Sequence, residues 1–287
     1  MLERKIKKGP MLNRSKIVIA LAYIVSILTS LFFIGPIIGL FVMSIKPQAI
    51  IELPVFNFVP TLHNYENLFF RNVHGRGVVS TKFISSLINS LFISGITTLS
   101  IVILAALSSY AFSRFRFKGR FALGLYIFVC YSVPAIAYLY PLHFILINLH
   151  LYDTHLGIIF VHVILGLPWT IWMLKSFFDS VPKELEESGM VDGCSRFEAF
   201  TRIILPVSAP GLVVVSIFTF IFVWNSFLPM IILSGEKTKP LIVFLLENRG
   251  WGTLAPACIV TMVPTIVLAL LIQKYVIRGI TLGSVKY

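Results

Sequence analysis

VPKELEESGMVDGCSRFEAFTRIILP, residues 181–206, carries Glu184, Glu186, Glu187, Asp192 and Glu198, and with Asp179 just before it accounts for six of the chain's twelve acidic residues. The sequence on either side is almost free of charge. At 57% hydrophobic and 13% charged over 287 residues, the chain is far more apolar than a soluble domain, which runs near half apolar and about a quarter charged. This acidic island between greasy segments predicts a structured polar loop between membrane spans, and the rest of the fold can be read outward from it.

Six apolar runs read as spans, at 17–45, 83–113, 121–147, 154–178, 207–234 and 255–277, each near or above the roughly 20 residues a helix needs to cross a bilayer core. The first is too long for the apolar core of a cleavable signal peptide and has no small-residue cleavage site after it. The formal charge of +12 invites a nucleic-acid reading, but the cations gather on alternate loops. Arg4, Lys5, Lys7, Lys8, Arg14 and Lys16 precede the first run; Arg114, Arg116, Lys118 and Arg120 follow the second; Lys175, Lys183, Arg196 and Arg202 surround the acidic loop; Lys274, Arg278 and Lys286 close the chain. The positive-inside rule then places both termini and the acidic loop in the cytoplasm. Residues 1–16 form a cytoplasmic N-terminal segment, and 17–287 form a single all-α, six-span domain whose cytoplasmic loop is 179–206. No internal repeat or low-complexity linker divides it.

Prolines at Pro36, Pro134, Pro141, Pro168, Pro229 and Pro264 predict kinks, and freed backbone groups in a bilayer need neighbouring helices or a wet cavity. The ionisable residues at bilayer depth are His143 and His162, read as hydrogen-bonded packing residues rather than a proton relay. His150, Asp153 and His155 have a spacing that could touch a metal, but a polar turn between spans explains them as well, so no metal site is assigned. Cys130, Cys194 and Cys258 show neither disulfide nor metal spacing. The chain lacks a G-x-x-x-x-G-K-S/T phosphate loop and a convergent set of nucleophile, base and metal ligands, so no catalytic residue is assigned; if transport is active, its energy comes from a partner.

Within the loop, Pro182 suits the start of a helix and Glu184, Glu186 and Glu187 complement its N-terminal dipole. Gly189 to Gly193 ends it. Ser195-Arg196-Phe197-Glu198 has capping-box spacing for a second helix, and Phe197, Phe200 and Ile204 are expected on one face. Two readings remain: a rigid docking lever for a cytoplasmic partner, or a helix pair lying on the headgroups with its acids in water.

The pattern Glu187-Ser188-Gly189, three residues, Gly193, nine residues, Ile203-Ile204-Leu205-Pro206 resembles the EAA loop, E-A-A-x3-G-x9-I-x-L-P, of ABC importer membrane subunits. SIKPQ (44–48), HNYENLF (63–69), NSLFISGITTLS (89–100), YAFSRFRFKGR (110–120), WNSF (224–227) and YVIRGITLGSVKY (275–287) are similar to carbohydrate-importer permeases of the maltose-permease G type. The resemblance implies a subunit that pairs with a second, homologous permease and sits on two copies of a cytoplasmic ABC ATPase, which holds the ATP and magnesium; this chain binds no cofactor. A solute-binding protein outside the membrane would deliver a sugar or oligosaccharide, an acidic one included. Glu187, Ser188, Gly189, Asp192, Gly193, Phe197, Ile203, Leu205 and Pro206 would form the coupling element. Trp224, Asn225 and Phe227 are expected on the substrate path. In the loop 235–252, Glu247, Arg249 and Trp251 are expected to face the binding protein. Ser188-Gly189 departs from the alanine pair, and Ser226 stands where an acid is usual. Rival readings are an importer of glycerol phosphate or polyamine, and an ATPase-independent carrier, which would call for membrane-embedded acids.

Overall fold

Apolar segments that cannot hydrogen-bond to their surroundings must satisfy the backbone internally, and helix is the local way to do so. The computed structural model describes residues 11–70, 79–248 and 250–283, and among these there is no strand. The helices are α1 Met11–Ser44, α2 His63–Phe69, α3 Val79–Arg114, α4 Arg120–Ser132, α5 Ala135–Asn148, α6 His155–Ser180, α7 Lys183–Val191, α8 Arg196–Ala199, α9 Leu205–Val207, α10 Ala209–Trp224, α11 Leu228–Leu233, α12 Leu241–Glu247 and α13 Trp251–Gly283. Four of them are long and apolar enough to cross a membrane, and six if two bent pairs each count as one span.

The third and fifth runs are interrupted at Pro134 and just before Pro229, two of the prolines expected to kink their helices. At the first, Val133 and Pro134 are extended and α4 meets α5 at 92°. A residue before proline is pushed out of the helical region and proline has no N–H to donate, so helix cannot continue there. The fifth run is split twice. The segment Arg196–Val207 meets α10 at 77°, and α10 stops at Trp224 before Pro229 opens α11 in its first turn. By contrast Pro36, Pro141, Pro168 and Pro264 lie inside uninterrupted helices. The loop expected at 235–252 contains α12, and α13 starts at Trp251 rather than at 255.

The centre is the crossing of α3 and α6, which make the most extensive helix pair, with α10 packed on both. Small residues let them approach. A Cβ on Gly166 would stand 2.6 Å from Ile101 Cδ1, and Ser109 Oγ donates to the carbonyl of Ile171 at 2.8 Å. Ser86, Ser90, Ser94, Thr97, Ser109 and Ser113 of α3 are all buried, a small-residue stripe of the kind that lets membrane helices pack closely. Three apolar clusters follow along the bundle: around Tyr110, Leu174, Phe178 and Phe200 at the acidic-loop end, around Ile101, Leu139, Val161 and Val223 in the middle, and around Phe83, Trp224 and Phe244 beside α13. The apolar face of α1 stays open: none of its most apolar window is buried within the chain, and α13 is its main neighbour.

The turn from α5 to α6 is set by close approach. His150 and Asp153 adopt φ of 57° and 53°, Thr154 caps α6 by accepting from Gly157 N at 3.1 Å, and a Cβ on Gly157 would lie 2.2 Å from the Leu151 carbonyl oxygen. Backbone cannot yield as a flexible side chain does. Gly157→Ala is therefore expected to destabilise the purified protein by about 1–3 kcal/mol, read as a lowered thermal midpoint in detergent; an unchanged midpoint would refute the assignment.

Candidate functional site

The acidic loop is built as expected at its ends. Pro182 precedes α7, with Glu184 and Glu186 in the first turn. Gly193 closes the helix at φ 95°, with Cys194 N donating to Gly189 O at 3.0 Å and Gly193 N to Met190 O at 3.2 Å, a left-handed closure that a side chain would strain. Ser195 and Glu198 form the reciprocal capping box: Glu198 N donates to Ser195 Oγ at 3.3 Å and Ser195 N to Glu198 Oε2 at 2.9 Å. Gly189 has its own reason. Its absent Cβ would lie 2.2 Å from Ile203 Cδ1, so glycine leaves room for the Ile203 side chain to lie directly on α7.

That second arm departs from a simple helix. Residues Phe200–Ile204 form a π-helical turn between α8 and α9, which widens the backbone and breaks the i, i+3, i+7 register. Phe200 and Ile204 are buried, but Phe197 is 67% exposed; the common apolar face expected for the three does not form. The nine residues of the expected coupling element divide accordingly. Glu187, Ser188, Asp192, Gly193 and Phe197 stand on the exposed tip, with Val191 beside them, and Pro206 is exposed at the return to α10; Gly189 is buried, and Ile203 and Leu205 are half-buried toward the bundle.

The loop's base holds a group that the sequence reading missed. Glu186 is buried: Tyr110 Oη donates to its Oε1 at 2.5 Å, and Arg114 Nε lies 2.9 Å from its Oε2, both charged side chains being about 95% covered (4% and 5% exposed). The Arg114 contact is electrostatic rather than an aligned hydrogen bond, since Nε is not directed at the oxygen. Arg114 Nη2 also donates to Val181 O at 2.9 Å, and Ser113 Oγ to Asp179 Oδ1 at 2.7 Å. Tyr110 packs on Phe200 with ring centroids 4.6 Å apart, and the Arg196 guanidinium lies 5.4 Å from the Phe115 ring centroid. A signal was present, since Arg114 closes α3 beside an acid-rich loop, but spacing alone did not say which acid it meets.

Three adjoining grooves, of about 1190, 750 and 300 Å³, run along α4, α6 and α10 and share Tyr131. Tyr131 stacks against Trp169 at 6.4 Å and 22°. Phe227 and Ser226 line the second groove. Trp224 does not: it is buried, and its indole Nε1 donates to Thr261 O at 3.1 Å, tying α10 to α13. Asn225 is exposed and donates to Ile221 O at 2.9 Å. Ser226 is held by His162, whose Nε2 is 3.0 Å from its Oγ while Nδ1 faces Ile158 O at 2.8 Å. The large groove carries Arg120 and Lys175 near its acidic-loop end.

At the opposite end, Asp153 binds the 235–238 turn. Its Oδ1 accepts from Gly235 N at 2.8 Å, Thr238 N at 3.0 Å and Thr238 Oγ1 at 2.7 Å, and Oδ2 from Lys237 N at 3.2 Å. His155 turns away to Asn89 at 3.0 Å. Lys239 bridges Glu236 at 2.6 Å and Glu247 at 2.8 Å. Glu247 is thus already paired within the chain, Trp251 begins α13 at 38% exposure, and Arg249 lies outside the described residues.

With this geometry in place, the sequence matches the family described as binding-protein-dependent transport system inner membrane component over residues 101–282. The chain belongs to that family. It is 30% identical over 269 residues to the trehalose/maltose transport system permease protein MalG of Thermococcus litoralis, covering 91% of this chain and 94% of the relative. Among solved structures, a bacterial ABC transporter involved in import of the acidic polysaccharide alginate superposes with a TM-score of 0.75 at 21% identity, over 93% of this chain and 99% of that one. A bacterial alginate ABC transporter in complex with alginate pentasaccharide-bound periplasmic protein gives 0.68 at 18% identity, over 94% and 96%; at such identities the likeness shows the fold. As a family member the chain is a transport subunit, a multi-pass permease of the cytoplasmic membrane.

In this permease Asp153 is the tie most open to test. Burial pulls its carboxyl upward, but the bonds from Thr238, Lys237 and Gly235 outweigh that and hold it below the ordinary carboxylate value. A depressed native value contributes stability that is present above the unfolded value of about 3.9 and is lost as pH falls through the lower native one. Protection factors in 235–238, which divide out the intrinsic fall of amide exchange toward acid, should accordingly stay high at neutral pH and drop only below pH about 4; in Asp153→Asn they should be low already at pH 7. Equal protection in the two proteins at pH 7 would show that the carboxylate does not hold the turn.

Proposed function

We propose that this chain is a membrane-spanning subunit of an ATP-driven importer of a sugar or oligosaccharide, with both termini and the 179–206 loop in the cytoplasm. The observation that carries the reading is the two-sided acidic loop. Its inner side is fixed to α3 and α6, while Glu187, Val191, Asp192 and Phe197 are exposed, a mixed apolar and acidic tip suited to a basic-rimmed groove on a partner. A helix pair lying on anionic headgroups would present mainly lysine and arginine, whereas here the exposed cations Lys183, Arg196 and Arg202 are outnumbered by the exposed acids Asp179, Glu184, Glu187 and Asp192. The partner in this reading is one of two copies of an ABC ATPase, which supplies ATP and magnesium. A second permease subunit and lipid cover the open apolar faces of α1 and of the grooves, and a solute-binding protein meets the 235–252 end.

A saccharide fits the grooves because their walls are aromatic and carry few charges. Stacked Tyr131 and Trp169, with Phe227 beside them, offer flat apolar faces to sugar rings, and Ser226 with the exposed amide of Asn225 offers hydrogen bonds. The trehalose/maltose relative supports the same class. At one end of the large groove Lys175 is paired with Asp179, which leaves Arg120 as the cation there that an acidic saccharide could meet.

Truncating one member of a desolvated charge pair typically costs about 2–5 kcal/mol, against a few tenths for a solvated charge. Glu187→Lys is expected to abolish solute uptake in reconstituted vesicles and weaken retention of the ATPase, with insertion of the subunit unchanged. Uptake and retention at the unmodified level would show Glu187 to be a solvated loop acid and would remove the docking reading.

A further inference from the structure

Adjacent residues of one helix, Glu186 and Glu187, have opposite surroundings, and the buried one is unexplained by docking. Consecutive positions on a helix point about 100° apart, so α7 can aim one carboxylate at a partner and the next into the bundle. We propose that Glu186, Arg114 and Tyr110 form the mechanical joint between the loop and α3, positioning groups that convert displacement of the loop into displacement of the central helix pair. The proposal rests on the coupling reading given above and concerns different residues.

Stability does not account for the joint. Removing a carboxylate and a guanidinium from water is costly, and a buried pair is often no better than apolar residues of the same volume. Such a pair does fix geometry. Apolar contact is non-directional and allows sliding, whereas here the Tyr110 hydroxyl gives one carboxylate oxygen a directed hydrogen bond and the Arg114 charge attracts the other. The two partners lie on the same helix one turn apart, so both hold α7 to a single register on the last turns of α3.

The surrounding contacts make the load continuous. On the loop side, Gly189 against Ile203 brings the two arms together, and Phe200 against Tyr110 seats the second arm on α3. On the bundle side, Arg114 reaches Val181 O and Ser113 reaches Asp179, so the end of α3 is tied to the end of α6. A push on the exposed tip therefore has a rigid route into both members of the central crossing. Through α6 it reaches Trp169 and, by way of His162, Ser226, which line the grooves.

The test uses the complete complex reconstituted with its ATPase and binding protein, and reads solute moved per ATP hydrolysed together with ATPase retention. Glu186→Gln leaves Arg114 buried without a counter-charge and can fail to assemble, so the decisive variant is Glu186→Leu with Arg114→Met, which removes both charges at similar volume. It should insert and retain the ATPase while the transport-to-hydrolysis ratio falls roughly tenfold; Tyr110→Phe, which loses one hydrogen bond, should lower the ratio a few-fold. An unmodified ratio in the double variant would reduce the pair to packing and overturn the proposal. So would loss of ATPase retention in that variant, because the pair would then serve only the loop's own fold. Glu187→Lys in parallel separates the two ideas: if it transports normally, the coupling reading itself fails, whereas an inactive Glu187→Lys beside a normal double variant sinks the joint alone.

Discussion

The crossing of α3 and α6 is the constraint on which the other elements depend. Two long helices with little polarity to distinguish one face from another need a feature that fixes their depth and rotation, and apolar contact alone does not provide it. Gly166 opens the space that Ile101 fills, and the Ser109 hydroxyl pins the Ile171 carbonyl. Once that crossing is set, α10 lies across both helices, joined to α6 through Thr170 and Thr219 at 3.3 Å. The acidic loop then has only one seat, because its flanks, Ser180 and Ala209, are the ends of helices already placed.

The spans were legible in the sequence because uninterrupted apolar length is a strong signal, and the loop's caps were legible because serine, glutamate and glycine at those spacings satisfy specific backbone groups. The breaks were less so. Pro134, after the extended, β-branched Val133, turns the chain by 92°, while Pro141, after Tyr140, sits in a continuous helix; a proline alone does not announce which will happen. Phe197 was misplaced for another reason. Its ring still meets Phe200 at 6.3 Å, but it precedes the π turn at Phe200–Ile204 and stands at the loop's tip, where the bundle no longer covers it. Trp224 shows the limit of reading residue type as role: an aromatic beside an asparagine suggested a sugar platform, but its indole N–H needed an acceptor and found Thr261 on α13.

The candidate site was half legible in the same sense. The motif fixed which residues belong to the loop, and the fold decided which side each faces. Glu186 and Glu187 are chemically identical and adjacent, so nothing in the local sequence tells anchor from contact. The distinction comes from Arg114, separated in sequence by the whole of α4 to α6 and brought to Glu186 by the central crossing. Gly189 is legible only in retrospect. By helix propensity it is a loss of up to about 1 kcal/mol, but against Ile203 it is the residue that permits contact between the arms.

The charge pattern of the grooves also bears on the class of solute. A polyamine carries several ammonium groups and would call for carboxylates or carbonyl clusters along its route, since a cation in a low-dielectric channel is costly unless paired. The residues lining the three grooves include no carboxylate, and of their two cations, Arg120 and Lys175, the second is paired with Asp179. A neutral or anionic solute meets no such penalty there. His162 adds to the argument. Occupied on both nitrogens by Ile158 and Ser226, it serves to hold the Ser226 hydroxyl at the break between α10 and α11, where an acid would have placed a negative charge against the groove. A positioned hydroxyl beside aromatic faces offers hydrogen bonding and stacking, which suit a polyhydroxylated ring.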